Sequence, residues 1–276
     1  IIVVVVALAI MCCCACMAAT GVVAWLASWT SDWDTLDVGD VSGDSVQRVV
    51  GVGATPSLEI TNFAGSVRIR TAEGGEIRIE ATKKASRHSD LHRIQVDVSE
   101  RDGTVVVRTS KSASLDKASV ELDITAPVDT RLDLKTGAGT VDVRGLAGDM
   151  EVATGAGTVI IRDTSGRVRA HSGAGTVEVR DASGPAEIGV GAGTIDYEGE
   201  LEGDSTFSTG LGEIILRLPE ELNAKVDLST AMGSVDVRYD VRGTVSARKA
   251  VGVIGDGSEC SIYAHTGAGI VQMKRR

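Results

Sequence analysis

The sequence predicts an all-β protein: a parallel β-helix, or solenoid, of about 18-residue coils, preceded by one N-terminal transmembrane α-helix. Three features predict this fold class. A short glycine-rich phrase recurs along the chain, apolar and polar residues alternate after each copy, and the first 29 residues carry no charge.

The glycine-rich phrase sets the period of the predicted coil. It reads TGAGTVDVR at 136–144, TGAGTVIIR at 154–162, SGAGTVEVR at 172–180 and VGAGTIDYE at 190–198, so each copy follows the last by 18 residues. Glycine permits the positive φ that tight turns require. The predicted turn glycines are Gly137, Gly139, Gly155, Gly157, Gly173, Gly175, Gly191 and Gly193.

Alternation within each copy predicts strands with one buried face. In VDVR, Val141 and Val143 share one face, and Asp142 and Arg144 share the other. This period of two excludes an α-helix here. The predicted core ladder consists of Val141, Val143, Val159, Ile161, Val177, Val179 and Ile195.

A single coil cannot be stable alone. It buries roughly four apolar side chains at about 1.5–3 kcal/mol each, whereas ordering its backbone costs about 1–2 kcal/mol per residue. The coils must therefore stack, and parallel stacking places equivalent residues in ladders with a spacing of about 4.8 Å. An antiparallel meander, with Gly-Ala-Gly as hairpin turns, uses the same strands and is the alternative.

The pattern is regular only at about 136–200 and becomes irregular on both sides. Strands are predicted upstream at 66–70, 76–81, 94–98, 104–108 and 120–124, and downstream at 213–218, 224–229 and 234–239. The phrase returns as TGAGI at 266–270. The irregular first coils and the polar C-terminal tail are predicted to cap the stack.

The uncharged N-terminal run predicts a membrane anchor over residues 1–31. It is longer than the roughly 20 apolar residues with which a helix crosses a bilayer. Tryptophan favours the membrane–water boundary, so the predicted membrane-interface residues are Trp25, Trp29 and Trp33. A cleaved signal peptide normally has a shorter apolar region, and a lipoprotein signal at Cys16 fits the preceding residues poorly.

Two further regions follow the predicted anchor. Residues 32–57 are rich in Gly and Asp and predict a tether, and residues 58–276 form the predicted solenoid. The flank at 30–44 carries Asp but no Lys or Arg, which by the positive-inside rule predicts an extracytoplasmic solenoid. Cys260 is the one cysteine beyond the anchor, so no disulfide framework is predicted.

Three stretches resemble a known family. LEITNFAGSVRIRTAEGGEIRIEATKKA begins at Leu58, VELDITAPVDTRLDLKTGAGTVDVRGLAGDMEVATGAGTVIIRD begins at Val120, and TGAGIVQMKRR ends the sequence. They resemble the bacterial putative-adhesin family of β-strand-repeat envelope proteins, over essentially all of 58–276. That family often has an Asn-Gly turn where this chain has Gly-Ala-Gly. The resemblance implies a β-helical envelope domain, often membrane-tethered, of unproven function and without catalytic residues to transfer.

Two outward columns of charge are the strongest candidates for chemistry. The acidic column contains Asp142, Glu178 and Asp196, and the basic column contains Arg144, Arg162 and Arg180. Clustered carboxylates and arginines could serve a polysaccharide hydrolase or lyase. The alternative is a solvated face on which opposite charges relieve each other's repulsion. We expect the second, because no long loop leaves the repeats to build a pocket.

Other ligand classes find little support in the sequence. His88 and His92 are four residues apart, but their segment is highly charged and is interpreted as a solvent-exposed excursion. The net charge of −10 and the 3% aromatic content argue against nucleic acid binding. We expect no metal, no cofactor and no catalytic residues.

The sequence therefore predicts a non-enzymatic, single-pass protein of the bacterial cell membrane with its solenoid on the extracytoplasmic side. The solenoid is expected to act as a binding, adhesion or structural surface for an envelope polymer or another protein. An envelope-stress sensor or accessory protein is the alternative. A wall-polysaccharide hydrolase or lyase is the less favoured third hypothesis.

Overall fold

The computed structural model describes residues 42–115 and 117–276, and these are nearly all β-structure. One short 3-10 helix interrupts the strands. In chain order the elements are β1 Ser42–Gly51, β2 Ser57–Asn62, β3 Val67–Thr71, β4 Glu76–Ala85, the 3-10 helix His88–Arg93, β5 Ile94–Arg101, β6 Thr104–Lys111, β7 Ala118–Ala126, β8 Arg131–Arg144, β9 Met150–Thr164, β10 Val168–Ser183, β11 Ala186–Glu200, β12 Gly203–Leu218, β13 Ala224–Val237, β14 Arg242–Ser246, β15 Lys249–Ile254 and β16 Cys260–Arg275.

The predicted anchor lies outside the described residues. This applies to residues 1–31 and to Trp25, Trp29 and Trp33, so the anchor stays a prediction. Within 42–115 and 117–276, no helix is long and apolar enough to cross a membrane.

Part of the predicted tether is a strand. β1 falls within 32–57 and pairs antiparallel with β4, where Val46 lies opposite Ala81 and Val50 opposite Ile77. Both valines are only half-buried, and Val49 is exposed. A strand at the end of the sheet buries little of either face, and its apolar alternation is therefore too weak to predict it from sequence.

The central strands are parallel and follow one another in chain order. β8, β9, β10 and β11 pair with a shift of 18 residues, so Val141 lies beside Val159 and Val159 beside Val177. These three side chains are fully buried. The antiparallel meander is therefore wrong for this region, and equivalent positions in successive copies lie on adjacent strands.

Each long strand has two arms, the residues before and after its Gly-Ala-Gly segment. In β9 the buried residues are even-numbered from Met150 to Thr154, and Val159 and Ile161 continue the burial on odd numbers. This change of phase lets both arms direct apolar side chains into one core. The same pattern recurs in β10 and β11.

At the N-terminal end the two arms continue on separate short strands. β2 pairs parallel with the first arm of β8, and β3 pairs parallel with its second arm. Beyond them lie β6 and β5 on one side, and β7, β4 and β1 on the other, with antiparallel pairs at both margins. The five predicted upstream strands coincide with β3–β7, but this end is a mixed sheet and not a regular series of 18-residue coils.

The C-terminal strands leave chain order. β16 lies between β12 and β13 and pairs parallel with both, while β15 and β14 add antiparallel strands beyond β13. The prediction that the C-terminal tail is a cap was therefore wrong. β16 carries the TGAGI phrase, and its Gly269 lies beside Gly212 and Gly233 in the turn column.

Candidate functional site

The outward faces of the two arms are surfaces on which equivalent residues of successive strands lie side by side. Because neighbouring strands hold a constant register, outward residues form columns with a spacing of about 4.8 Å. We call the outward side of the residues before each Gly-Ala-Gly segment the first-arm face, and that of the residues after it the second-arm face. The charged columns predicted from sequence lie on the second-arm face.

The predicted acidic column is interrupted. Asp142 lies beside Ile160, Ile160 beside Glu178, and Glu178 beside Asp196. The structure therefore brings Glu178 and Asp196 together but separates Asp142 from them by an isoleucine. The predicted basic column is continuous where Arg144 lies beside Arg162 and Arg162 beside Arg180.

Each candidate carboxylate has an arginine partner. The Arg144 guanidinium forms two hydrogen bonds of 3.0 Å to Asp142, and Arg162 Nη2 lies 3.3 Å from a Glu178 oxygen. Arg180 Nη2 donates to Asp196 Oδ2 at 2.7 Å. The carboxylates of this face are thus ion-paired with its arginines.

Asp196 is the most strongly held of these acids. Arg217 reaches its second carboxylate oxygen, so two guanidinium groups flank one carboxylate. Partial burial alone would raise the pKa of Asp196, but hydrogen bonds and charges from Arg180 and Arg217 outweigh it and lower the pKa below its ordinary value. A general acid requires the opposite shift. This geometry is that of an ion-paired surface.

The two glycines of each turn have different roles. Gly139, Gly157, Gly175 and Gly193 have φ between 126° and 144°, as predicted for tight corners. The first glycines, such as Gly155, do not have positive φ. A Cβ on Gly155 would lie 2.5 Å from the carbonyl oxygen of Gly137 on the preceding strand. The first glycine therefore permits close backbone stacking, a role that the sequence analysis missed.

A buried hydroxyl closes most of these turns. The Oγ atoms of Thr154, Ser172, Thr209 and Thr230 each donate to the carbonyl two residues later, at 3.0–3.3 Å. This local bond stabilises the bend inside the core. The Thr or Ser that opens the repeated phrase was the signal for it in the sequence.

The middle residues of the turns form an uncharged ridge. Ala138, Ala156, Ala174 and Ala192 are exposed there. Farther along the same column, Leu211 is 61% exposed and Met232 is 68% exposed.

The first-arm face changes character along the stack. Between β8 and β11 it is charged, with Arg169 paired to Glu187 at 3.0 Å and Lys135 to Asp133 at 3.1 Å. On β12, β16 and β13 the corresponding outward residues are mostly hydroxyl and aromatic side chains.

The remaining candidate residues from the sequence do not come together to form a metal or catalytic site. His88 and His92 are exposed on the 3-10 helix, where the stabilising side-chain pair is Asp90 with Arg93 at 3.3 Å. Among the described residues, no group of three or more His, Cys, Asp or Glu side chains is arranged to hold a metal ion. A depression of about 520 Å³ lies at the strand ends and is lined by Glu200, Glu202 and Glu259 among others.

Comparison with solved structures finds proteins of the kind that the sequence resembles. A putative cell adhesion protein from Clostridium sporogenes is 13% identical, with a TM-score of 0.35, over 84% of this chain and 100% of that one. A putative adhesin from Bacteroides fragilis is 11% identical, with a TM-score of 0.32, over 85% and 98%. A putative lipid binding protein from Parabacteroides distasonis is 7% identical, with a TM-score of 0.26, over 85% and 97%. The chain matches no family model and no curated protein.

Proposed function

We propose that this chain is a non-enzymatic protein of the bacterial cell envelope that displays its stacked strands as a binding or adhesion surface. One observation carries the proposal: seven strands place equivalent outward residues in register, from β8 through β12 and β16 to β13. Six steps of about 4.8 Å give a face about 29 Å long. Such a face suits an extended partner, such as an envelope polymer or the surface of another protein.

We also propose that the long strands form a solenoid, on which the rigidity of that surface depends. The proposal comes from the short connection between successive strands. Val168 lies beside Met150, the first residue of the preceding strand, and is four residues after Thr164, the last. Four residues span at most about 14 Å, whereas a straight strand of this length would be about 50 Å long. This short connection supports a chain in which each strand folds back at its Gly-Ala-Gly segment and forms a flattened coil.

The ion-paired second-arm face supports a binding role over catalysis. Asp142, Glu178 and Asp196 all have arginine partners, and the pKa of Asp196 is lowered. A protein that hydrolysed glycans through these acids would need one of them protonated near neutral pH. We therefore propose no catalytic residues.

Membrane attachment remains part of the proposal through residues 1–31. Their uncharged length supports a single span, with the sheet on the extracytoplasmic side. The full chain should remain in the membrane pellet after alkaline carbonate washing, and a chain that lacks 1–31 should not. Release of the full chain by carbonate would contradict the anchor.

The binding function is tested by incubating the immobilised full chain with isolated envelope polysaccharide and with envelope protein extract. We expect retention of one partner and no shortening of the polysaccharide. A triple variant with Asp142, Glu178 and Asp196 changed to Ala separates binding from catalysis. Release of glycan fragments by the wild type, but not by this variant, would contradict the proposal, as would retention of neither partner.

A further inference from the structure

A patch on the first-arm face has a composition unlike the rest of that face. It is formed where β16 lies between β12 and β13. We call it the hydroxyl–aromatic patch, and it consists of Thr206, Ser208, Asp227, Ser229, Tyr263 and His265.

Tyr263 is at the centre of the patch and presents its ring to solvent. Its exposed fraction is 48%, whereas Tyr197 and Phe207 are fully buried and Tyr239 is buried in the core. Phe63 is partly buried. Within 42–115 and 117–276, Tyr263 is therefore the aromatic side chain most available to a ligand. A tyrosine ring offers a flat apolar face together with a polar edge.

Short polar side chains surround this ring. Tyr263 lies between Thr206 on β12 and Asp227 on β13. Same-face neighbours on adjacent strands are about 4.8 Å apart. The ring is therefore bordered on both sides by oxygen atoms that can form hydrogen bonds.

His265 extends the patch along the strand. It is two residues after Tyr263, on the same face, and lies between Ser208 and Ser229. Its Nδ1 is 3.1 Å from the Ser229 hydroxyl oxygen, which orients the imidazole. The imidazole and the two hydroxyls add both donors and acceptors beside the ring.

A second imidazole lies beside the patch. Gly189 on β11 is the neighbour of Ser208 and has no side chain. A Cβ on Gly189 would lie 2.8 Å from His171 Nδ1 and 3.5 Å from Ser208 Oγ. The His171 imidazole therefore lies over Gly189 and borders the patch on that side.

Charges on and around the patch are balanced. Lys225 and Lys249 lie at its margin on β13 and β15, and Asp204 and Asp227 supply two opposing carboxylates. Glu187 on β11 is the neighbour of Thr206, and its charge is balanced by the ion pair with Arg169. A surface without net charge offers no general attraction to a polyanion, in contrast with nucleic acid sites.

We propose that the hydroxyl–aromatic patch binds a neutral polysaccharide. One pyranose ring stacks the C–H bonds of its flat face on Tyr263, and its hydroxyls form hydrogen bonds with Asp227, Ser229 and His265. An aromatic platform with a rim of precisely placed polar groups is the combination that fixes such a ligand. This inference rests on the proposed binding function and assigns it a ligand class and a site.

The test uses the full chain and neutral hexasaccharides of glucose, mannose and N-acetylglucosamine, measured by calorimetry. We expect one of them to bind, and Tyr263→Ala to weaken its affinity by about tenfold or more. Tyr263→Phe should retain affinity within about threefold, because the ring remains. His265→Ala should have an intermediate effect.

Leu211→Ala is the matched control, since Leu211 is also an exposed apolar side chain but lies on the turn ridge. It should bind like the wild type, and thermal unfolding should be unchanged in all three alanine variants. Unchanged affinity in Tyr263→Ala would overturn this site and leave the proposed binding function intact. Failure of all three hexasaccharides to bind, while the chain still retains an anionic polymer or a protein, would overturn the ligand class.

Discussion

The regular strands β8–β11 and the C-terminal group β12, β16 and β13 reach the same stacking by different chain paths. In the first group each strand pairs with its neighbour in sequence, 18 residues away. In the second group β16 lies between β12 and β13, although both strands precede it in the chain. The order of strands in the chain therefore does not determine which strands pair. Both groups share a turn that contains a glycine with positive φ.

The turn glycines show what the two groups share. Gly193, Gly212, Gly269 and Gly233 lie in one column and have φ of 144°, 138°, 147° and 134°. A strand with this turn fits wherever an equivalent turn is already formed.

Deleting residues 260–276 should break the C-terminal group and leave the regular group intact. β12 and β13 lose their shared partner, together with the fully buried Ile262, Val271 and Met273. Loss of several core side chains predicts a cost of more than about 5 kcal/mol. Hydrogen exchange should show fast exchange in β12 and β13 and protection in β8–β10. Full protection of β13 would contradict the account.

Gly157→Ala and Gly233→Ala should be similarly destabilising, although they lie in different groups. Both glycines have positive φ, and a Cβ on either would lie less than 3.0 Å from a backbone carbonyl oxygen of the adjacent strand. We expect a loss of at least about 2 kcal/mol in the free energy of unfolding for each. Ala156→Ser, at an exposed position beside Gly157, is the control and should be neutral. If Gly233→Ala left the free energy of unfolding unchanged, the turns of the two groups would not be equivalent.

Val177→Ala and Val235→Ala should differ, because their positions are equivalent but their burial is not. Val177 is fully buried between β9 and β11, whereas Val235 is half-buried at the end of the stack. We expect a cost of about 2 kcal/mol for Val177→Ala and under about 1 kcal/mol for Val235→Ala. Denaturant unfolding measures both, and equal losses would show that the end is as closely packed as the middle.

Asp196→Asn should have a small, pH-dependent effect, and Asp236→Asn should have none. The pKa of Asp196 is lowered in the folded state, so its stabilisation is present above the unfolded-state pKa of about 3.9 and is lost as pH falls through the folded-state value. For a partly exposed pair we expect about 1 kcal/mol at pH 7. Asp236 occupies the same face, but its nearest arginine is 3.6 Å away and exposed. Melting curves of Asp196→Asn and wild type should converge once the pH falls below the folded-state pKa of Asp196.

Local pattern was enough to predict most strands, because alternation and turn glycines act over a few residues. Val141, Val159 and Val177 are buried on adjacent strands as the repeat required. The position of β16 was not predicted, since the repeated phrase in 266–270 specifies a turn but not which neighbours it joins. β1 was missed because an end strand with half-buried Val46 and Val50 has little alternation.

The candidate site was less accessible to sequence analysis. The acidic and arginine columns are visible in the repeat, but Ile160 interrupts the acids, and only pairing distances show which charges neutralise each other. Tyr263 and His265 join residues of β12 and β13 only because β16 lies between these strands. No local pattern contains that arrangement.

Disulfide formation tests the position of β16 most directly. In a cysteine-free background, one variant carries Ser208→Cys with His265→Cys, and a second carries Ser208→Cys with Ser229→Cys. Adjacent strands place paired residues about 4.8 Å apart, and the intervening β16 doubles the second distance to about 9.6 Å, beyond the reach of a disulfide. We expect rapid crosslinking of the first pair and none of the second. Crosslinking of Ser208→Cys to Ser229→Cys, without the first pair, would place β13 directly beside β12 and contradict it.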